Sequence, residues 1–116
     1  MGTAAIVLGL AALGGLTLAG IRISGRPLPP TWMALGHGAV AATGLALLIY
    51  AAVTAGIPGL AQVALGVFVL AALGGAAMFL GFHMRGRALP IPLVLGHGFI
   101  AVTGYVLLLV SIYRPV

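Results

Sequence analysis

A chain of 116 residues with 63% hydrophobic side chains, a mean hydropathy of +1.32, five arginines and no aspartate or glutamate is too apolar for a soluble domain or a disordered chain. Its net charge of +5 does not suit nucleic acid, because the arginines sit at the ends of apolar runs and line no soluble face. With no carboxylate or cysteine for acid–base or nucleophilic work, and with Ser24 and Ser111 at span ends beside no base, it is not expected to be an enzyme.

The first apolar run, residues 3 to 23, has the roughly 20 residues that a helix needs to cross the hydrocarbon core. It lacks the basic start of a secretory signal and is expected to stay in the chain. Residues 24 to 30, Ser-Gly-Arg-Pro-Leu-Pro-Pro, break it. A second span is predicted over residues 31 to 55, with Trp32 as an interfacial anchor, and Gly-Ile-Pro-Gly at 56 to 59 makes a tight turn. The third span covers residues 60 to 84. Residues 85 to 92, Arg-Gly-Arg-Ala-Leu-Pro-Ile-Pro, separate it from a fourth at 93 to 113, before the tail Arg114-Pro115-Val116.

The text repeats. Leu-Ala-Ala-Leu-Gly-Gly at 10 to 15 returns at 70 to 75, Gly-Arg-x-Leu-Pro at 25 to 29 returns at 86 to 90, and Leu-Gly-His-Gly at 35 to 38 returns at 95 to 98. Ala41, Thr43 and Gly44 return as Ala101, Thr103 and Gly104. Residues 1 to 58 and 59 to 116 therefore read as two copies of a helical hairpin within a single integral membrane domain. The expected fold is all-α: a polytopic membrane four-helix bundle of two parallel-repeat hairpins about a pseudo-two-fold axis along the membrane normal.

Arg22, Arg26, Arg85 and Arg87 lie in the two connections that share one side, which the positive-inside rule assigns to the cytoplasm of a bacterial inner membrane, leaving both termini periplasmic. Arg114 opposes this weakly. Small residues four apart, as in Ala11/Gly15 and Ala71/Gly75, allow the close helix approach that lipid-embedded packing requires.

His37 and His97 sit at equal depth, roughly 7 to 9 Å inside their helices from the arginine side. Their helices lie diagonally across the bundle, with axes roughly 11 to 14 Å apart, a gap that two imidazoles and one metal ion fill. Ionisable groups inside a membrane are candidates for function, so the two histidines are the candidate metal ligands. Gly44 and Gly104, seven residues on, together with Ala41 and Ala101, are expected to leave a groove beside each ring. Gly36, Gly38, Gly96 and Gly98 are expected to remove bulk around a flat ligand. Arg26 and Arg87 flank the histidine ends of the helices and would meet acidic groups of a cofactor, or lipid headgroups. Alternatively, each imidazole bonds a neighbouring carbonyl or hydroxyl and serves packing alone. His83 is expected at the lipid interface, and Met78 and Met84 in packing or against lipid.

In its Gly-Arg-x-Leu-Pro connections followed by His-Gly and Thr-Gly on apolar helices, the chain resembles a group of small, uncharacterised bacterial four-span membrane proteins built by duplication. The paired His37 and His97 among glycines are more loosely similar to the haem sites of b-type membrane cytochromes. That second resemblance implies one haem b held by both histidines, with the glycines accommodating the ring and Arg26 and Arg87 compensating its propionates. A bacteriochlorophyll, needing one imidazole per pigment, suits the same glycine-rich setting. Two functions stand side by side: electron transfer through a bound haem, or a non-catalytic accessory or assembly subunit of a larger photosynthetic or respiratory membrane complex. A homo-oligomer or a host complex is expected in either case. Coupled transport is disfavoured because no acid lies within the spans.

Overall fold

The computed structural model describes residues 1 to 114, so Pro115 and Val116, the last residues of the second expected repeat, lie outside the described residues. Four α-helices follow one another: α1 (Gly2–Ile23), α2 (Thr31–Thr54), α3 (Gly59–Gly81) and α4 (Ile91–Tyr113), with a short 3-10 turn at His83–Arg85. All four helices are long and apolar enough to cross a membrane, as a multi-pass membrane protein requires. The bundle measures 43 × 20 × 19 Å.

Proline sets where the helices begin. Pro30, Pro58 and Pro90 stand at the N-caps of α2, α3 and α4 in non-helical backbone, and no side chain caps any of these ends. Pro58, in the turn expected at 56 to 59, immediately precedes the third helix. Pro92, expected in the connection, lies in the first turn of α4, where its missing N–H forfeits no hydrogen bond. The third helix also ends earlier than the apolar text suggests. Phe82 leaves helical geometry, and the chain passes through the 3-10 turn to Gly86, whose φ of +64° needs a glycine.

Each helix packs on two others: α1 on α2 and α4, and α3 on α4 and α2, so α2 and α4 face each other across the diagonal. The two arginine-bearing connections meet at one end, where the Leu89 N–H donates to the Pro27 carbonyl (3.2 Å). The tightest core lies toward the opposite end, among Ala4, Ala5, Leu8, Leu48, Ala61, Ala64, Phe68 and Leu108. Alanine and glycine bring the backbones close there, and Leu8 packs so tightly against Gly44 that an added Cβ would stand 2.7 Å from Leu8 Cγ. On α4 the Tyr105 hydroxyl donates to the Ala5 carbonyl of α1 (2.9 Å). The outer faces carry large apolar side chains such as Leu13, Leu16, Leu73, Leu80 and Phe99, as helices bathed in acyl chains do.

Candidate functional site

His37 projects from the second turn of α2 toward α1, and its Nδ1–H donates to the Ala11 carbonyl at 2.9 Å. A carbonyl only accepts, so this bond places a proton on Nδ1, and in the neutral ring the lone pair is on Nε2. The ring rests on Gly14 and Gly15. A Cβ at Gly15 would come within 3.0 Å of His37 Cε1, whereas one at Gly14 would approach no closer than 3.7 Å.

Sixty residues on, the seat recurs. A Cβ at Gly75 would stand 3.0 Å from His97 Cε1, and one at Gly74 would stand 3.9 Å from Nδ1. His97 Nδ1 is buried and faces the Ala71 carbonyl without completing a hydrogen bond to it. The two imidazoles thus lean inward from diagonal helices and meet with ring centroids 6.3 Å apart and planes at 90°. Among the described residues no group of three or more His, Cys, Asp or Glu stands together, so the donor set here is two imidazoles.

The glycines expected around a ligand are used differently. Gly44 and Gly104 leave no open groove, because Leu8 fills the space at Gly44, while Val67 and Phe68 lie 3.2 to 3.3 Å from a Cβ at Gly104. The i+7 spacing does put them on the inward face, but that face at their depth is the closely packed core. Gly36, Gly38, Gly96 and Gly98 adjoin only open space. Neighbours one residue from each histidine are turned about 100° away from it round the helix, so they look outward.

Arg26 is exposed in the first connection, and the Arg87 guanidinium lies over the Phe82 ring, 5.0 Å from its centroid. Neither makes a hydrogen bond to His37 or His97. His83, at the arginine end where headgroups are expected, is 9% exposed: its Nε2 is 3.0 Å from Thr31 Oγ1, and its ring packs on Phe79. At the 61-residue offset of the connections, His83 stands where the first half has Arg22, whose Nε donates to the Leu89 carbonyl (2.7 Å). Both side chains therefore tie the end of one helix to the connection or helix start of the other half.

The residues that seat the imidazoles, Ala11, Gly14 and Gly15 on α1 and Gly74 and Gly75 on α3, carry no polar side chain that marks them as site residues. Their signal was the repeated Leu-Ala-Ala-Leu-Gly-Gly, whose pairing with the histidines requires the helix packing. Beside His37, a cleft of about 240 Å³ opens between α1 and α2, with Trp32 at its edge. No family model, curated protein or solved structure matches the chain.

Proposed function

We propose that the chain is a small electron-transfer protein of the bacterial inner membrane, built from two copies of one helical hairpin and holding one haem b between His37 and His97. The observation that carries this reading is the approach of the two rings, 6.3 Å between centroids from diagonal helices. Two imidazoles that held one metal ion between them, with metal–nitrogen bonds of about 2 Å, would have ring centres at about this separation. The His37 Nδ1–Ala11 bond supports it further, since a metal-ligating histidine commits its other nitrogen to a carbonyl or carboxylate. On the flanking helices Gly14, Gly15, Gly74 and Gly75 present backbone, without side chains, beside the imidazoles.

When bound, the haem iron would supply one-electron storage. His37 and His97 would hold it. Ala11 orients the His37 ring, and Gly14, Gly15, Gly74 and Gly75 seat the two imidazoles. The four arginines of the connections support a cytoplasmic placement of that end, with periplasmic termini.

Optical and electron-paramagnetic-resonance spectra of the detergent-purified, haem-loaded protein test the proposal. Expected are sharp Soret and α bands on reduction and a low-spin signal, lost in His37→Ala and in His97→Ala and kept in His83→Ala. A protein that stays colourless after loading would sink it.

The second reading is a non-catalytic accessory subunit of a larger membrane complex, a host for a pigment, or a homo-oligomer. It draws on the outward-facing Gly36, Gly38 and Gly96, which adjoin open space and leave backbone accessible to a partner helix. Pigment absorption without haem bands, or stable co-purification with other membrane subunits, would favour it.

A further inference from the structure

We infer that the arginine end of the bundle is a binding site for the paired phosphates of a dianionic phospholipid. The inference stands apart from the haem proposal. Four guanidinium groups arrive there from two directions, Arg22 and Arg26 from the end of α1 and the first connection, Arg85 and Arg87 from the second. The connections are joined to each other. The Leu89 N–H donates to the Pro27 carbonyl, next to Arg26, and Arg22 Nε donates to the carbonyl of the same Leu89, two residues from Arg87. These bonds hold the two arginine-bearing connections together on one end of a bundle only about 20 Å across.

Two of the four are held in place. Arg22 is half-buried and oriented by the Leu89 carbonyl, yet its terminal Nη groups make no hydrogen bond within the described residues. Arg87 is braced over Phe82. Arg26 and Arg85 are exposed and donate no side-chain hydrogen bond within the described residues. The sequence contains no aspartate or glutamate, so no carboxylate side chain of this chain neutralises any of them.

Guanidinium forks match phosphate oxygens in two parallel hydrogen bonds, and a basic surface at the headgroup level of a spanning bundle meets phosphates before any other anion. The four come as two pairs in the sequence, Arg22 with Arg26 and Arg85 with Arg87, and would offer one pair to each phosphate. A lipid carrying two phosphates on one headgroup bridges the connections as the Leu89–Pro27 bond already does.

The test uses the full-length protein in detergent, stripped of lipid, with cardiolipin, phosphatidylcholine and inorganic phosphate as separate probes, read by thermal unfolding and native mass spectrometry. Expected is a rise in melting temperature and one retained cardiolipin, both absent with phosphatidylcholine and with inorganic phosphate at equal phosphate concentration. The double variant Arg26→Gln/Arg85→Gln, which breaks no internal hydrogen bond, is expected to weaken cardiolipin retention roughly 30-fold. Arg114→Gln, at the opposite end, is expected to leave it unchanged. Equal stabilisation by phosphatidylcholine, an equal effect of free phosphate, an equal loss in Arg114→Gln, or an acidic polypeptide held by the four arginines in place of lipid would each overturn the inference.

Discussion

The hydroxyl of Tyr105 sits directly over Gly9: a Cβ there would stand 2.6 Å from the phenolic oxygen, which donates to the Ala5 carbonyl one turn earlier on α1. The contact joins the first helix to the last, and neither partner is repeated, since Leu45 and Val69 occupy the matching positions. Tyr105→Phe removes only the hydrogen bond and is expected to cost about 0.6 kcal/mol, with about 1.7 kcal/mol as an upper bound. Gly9→Ala also displaces the ring and is expected to cost more. Thermal unfolding in a fixed detergent ranks the two, and equal stability of both variants with the parent would show that α1 and α4 are held by other contacts.

Glycines of one helix differ in what surrounds them. Gly44→Ala drives a methyl into Leu8, including its backbone nitrogen at 3.2 Å, and is expected to destabilise by about 1 to 3 kcal/mol. Gly36→Ala meets open space and is expected to be neutral or stabilising by up to about 1 kcal/mol. If unfolding experiments reverse that order, the registration of α1 on α2 is wrong.

The imidazole seats give a sharper contrast on adjacent residues. Gly15→Ala and Gly75→Ala press on Cε1 of His37 and His97 at 3.0 Å and are expected to lower haem occupancy at least about tenfold. Gly14→Ala, at 3.7 Å, is expected to be tolerated. Haem titration followed at the Soret band measures all three, and indifference at Gly15 and Gly75 would remove these residues from the site.

His83 and Thr31 link the turn after α3 to the start of α2 through a partly buried bond of 3.0 Å. A double-mutant cycle with His83→Ala and Thr31→Val is expected to give a coupling of about 0.6 kcal/mol, in line with interhelical hydrogen bonds in membranes. Additive losses would mean that the two side chains stabilise the fold independently.

Orientation is open to single-cysteine labelling, because the natural chain has no cysteine. Ser24→Cys, in the arginine-bearing connection, is expected to resist an impermeant maleimide in intact spheroplasts, and Ala55→Cys, in the opposite turn, is expected to react. The reverse pattern would place the arginines outside.

Much of the architecture was already legible in the amino-acid text. Four runs of spanning length and the prolines at 30, 58 and 90 fix the number of helices and, within a residue or two, where three of them start. The meeting of His37 and His97 near the bundle axis also follows from their matched depth on two helices running the same way. What the text did not settle was rotation. In a soluble helix an apolar stripe tells which face turns inward, but these helices are apolar all round, so their facing is decided only by how side chains and small residues interlock. Tertiary packing alone therefore put Leu8 into the space at Gly44, gave the imidazoles to Gly14, Gly15, Gly74 and Gly75, and set His83 against Thr31.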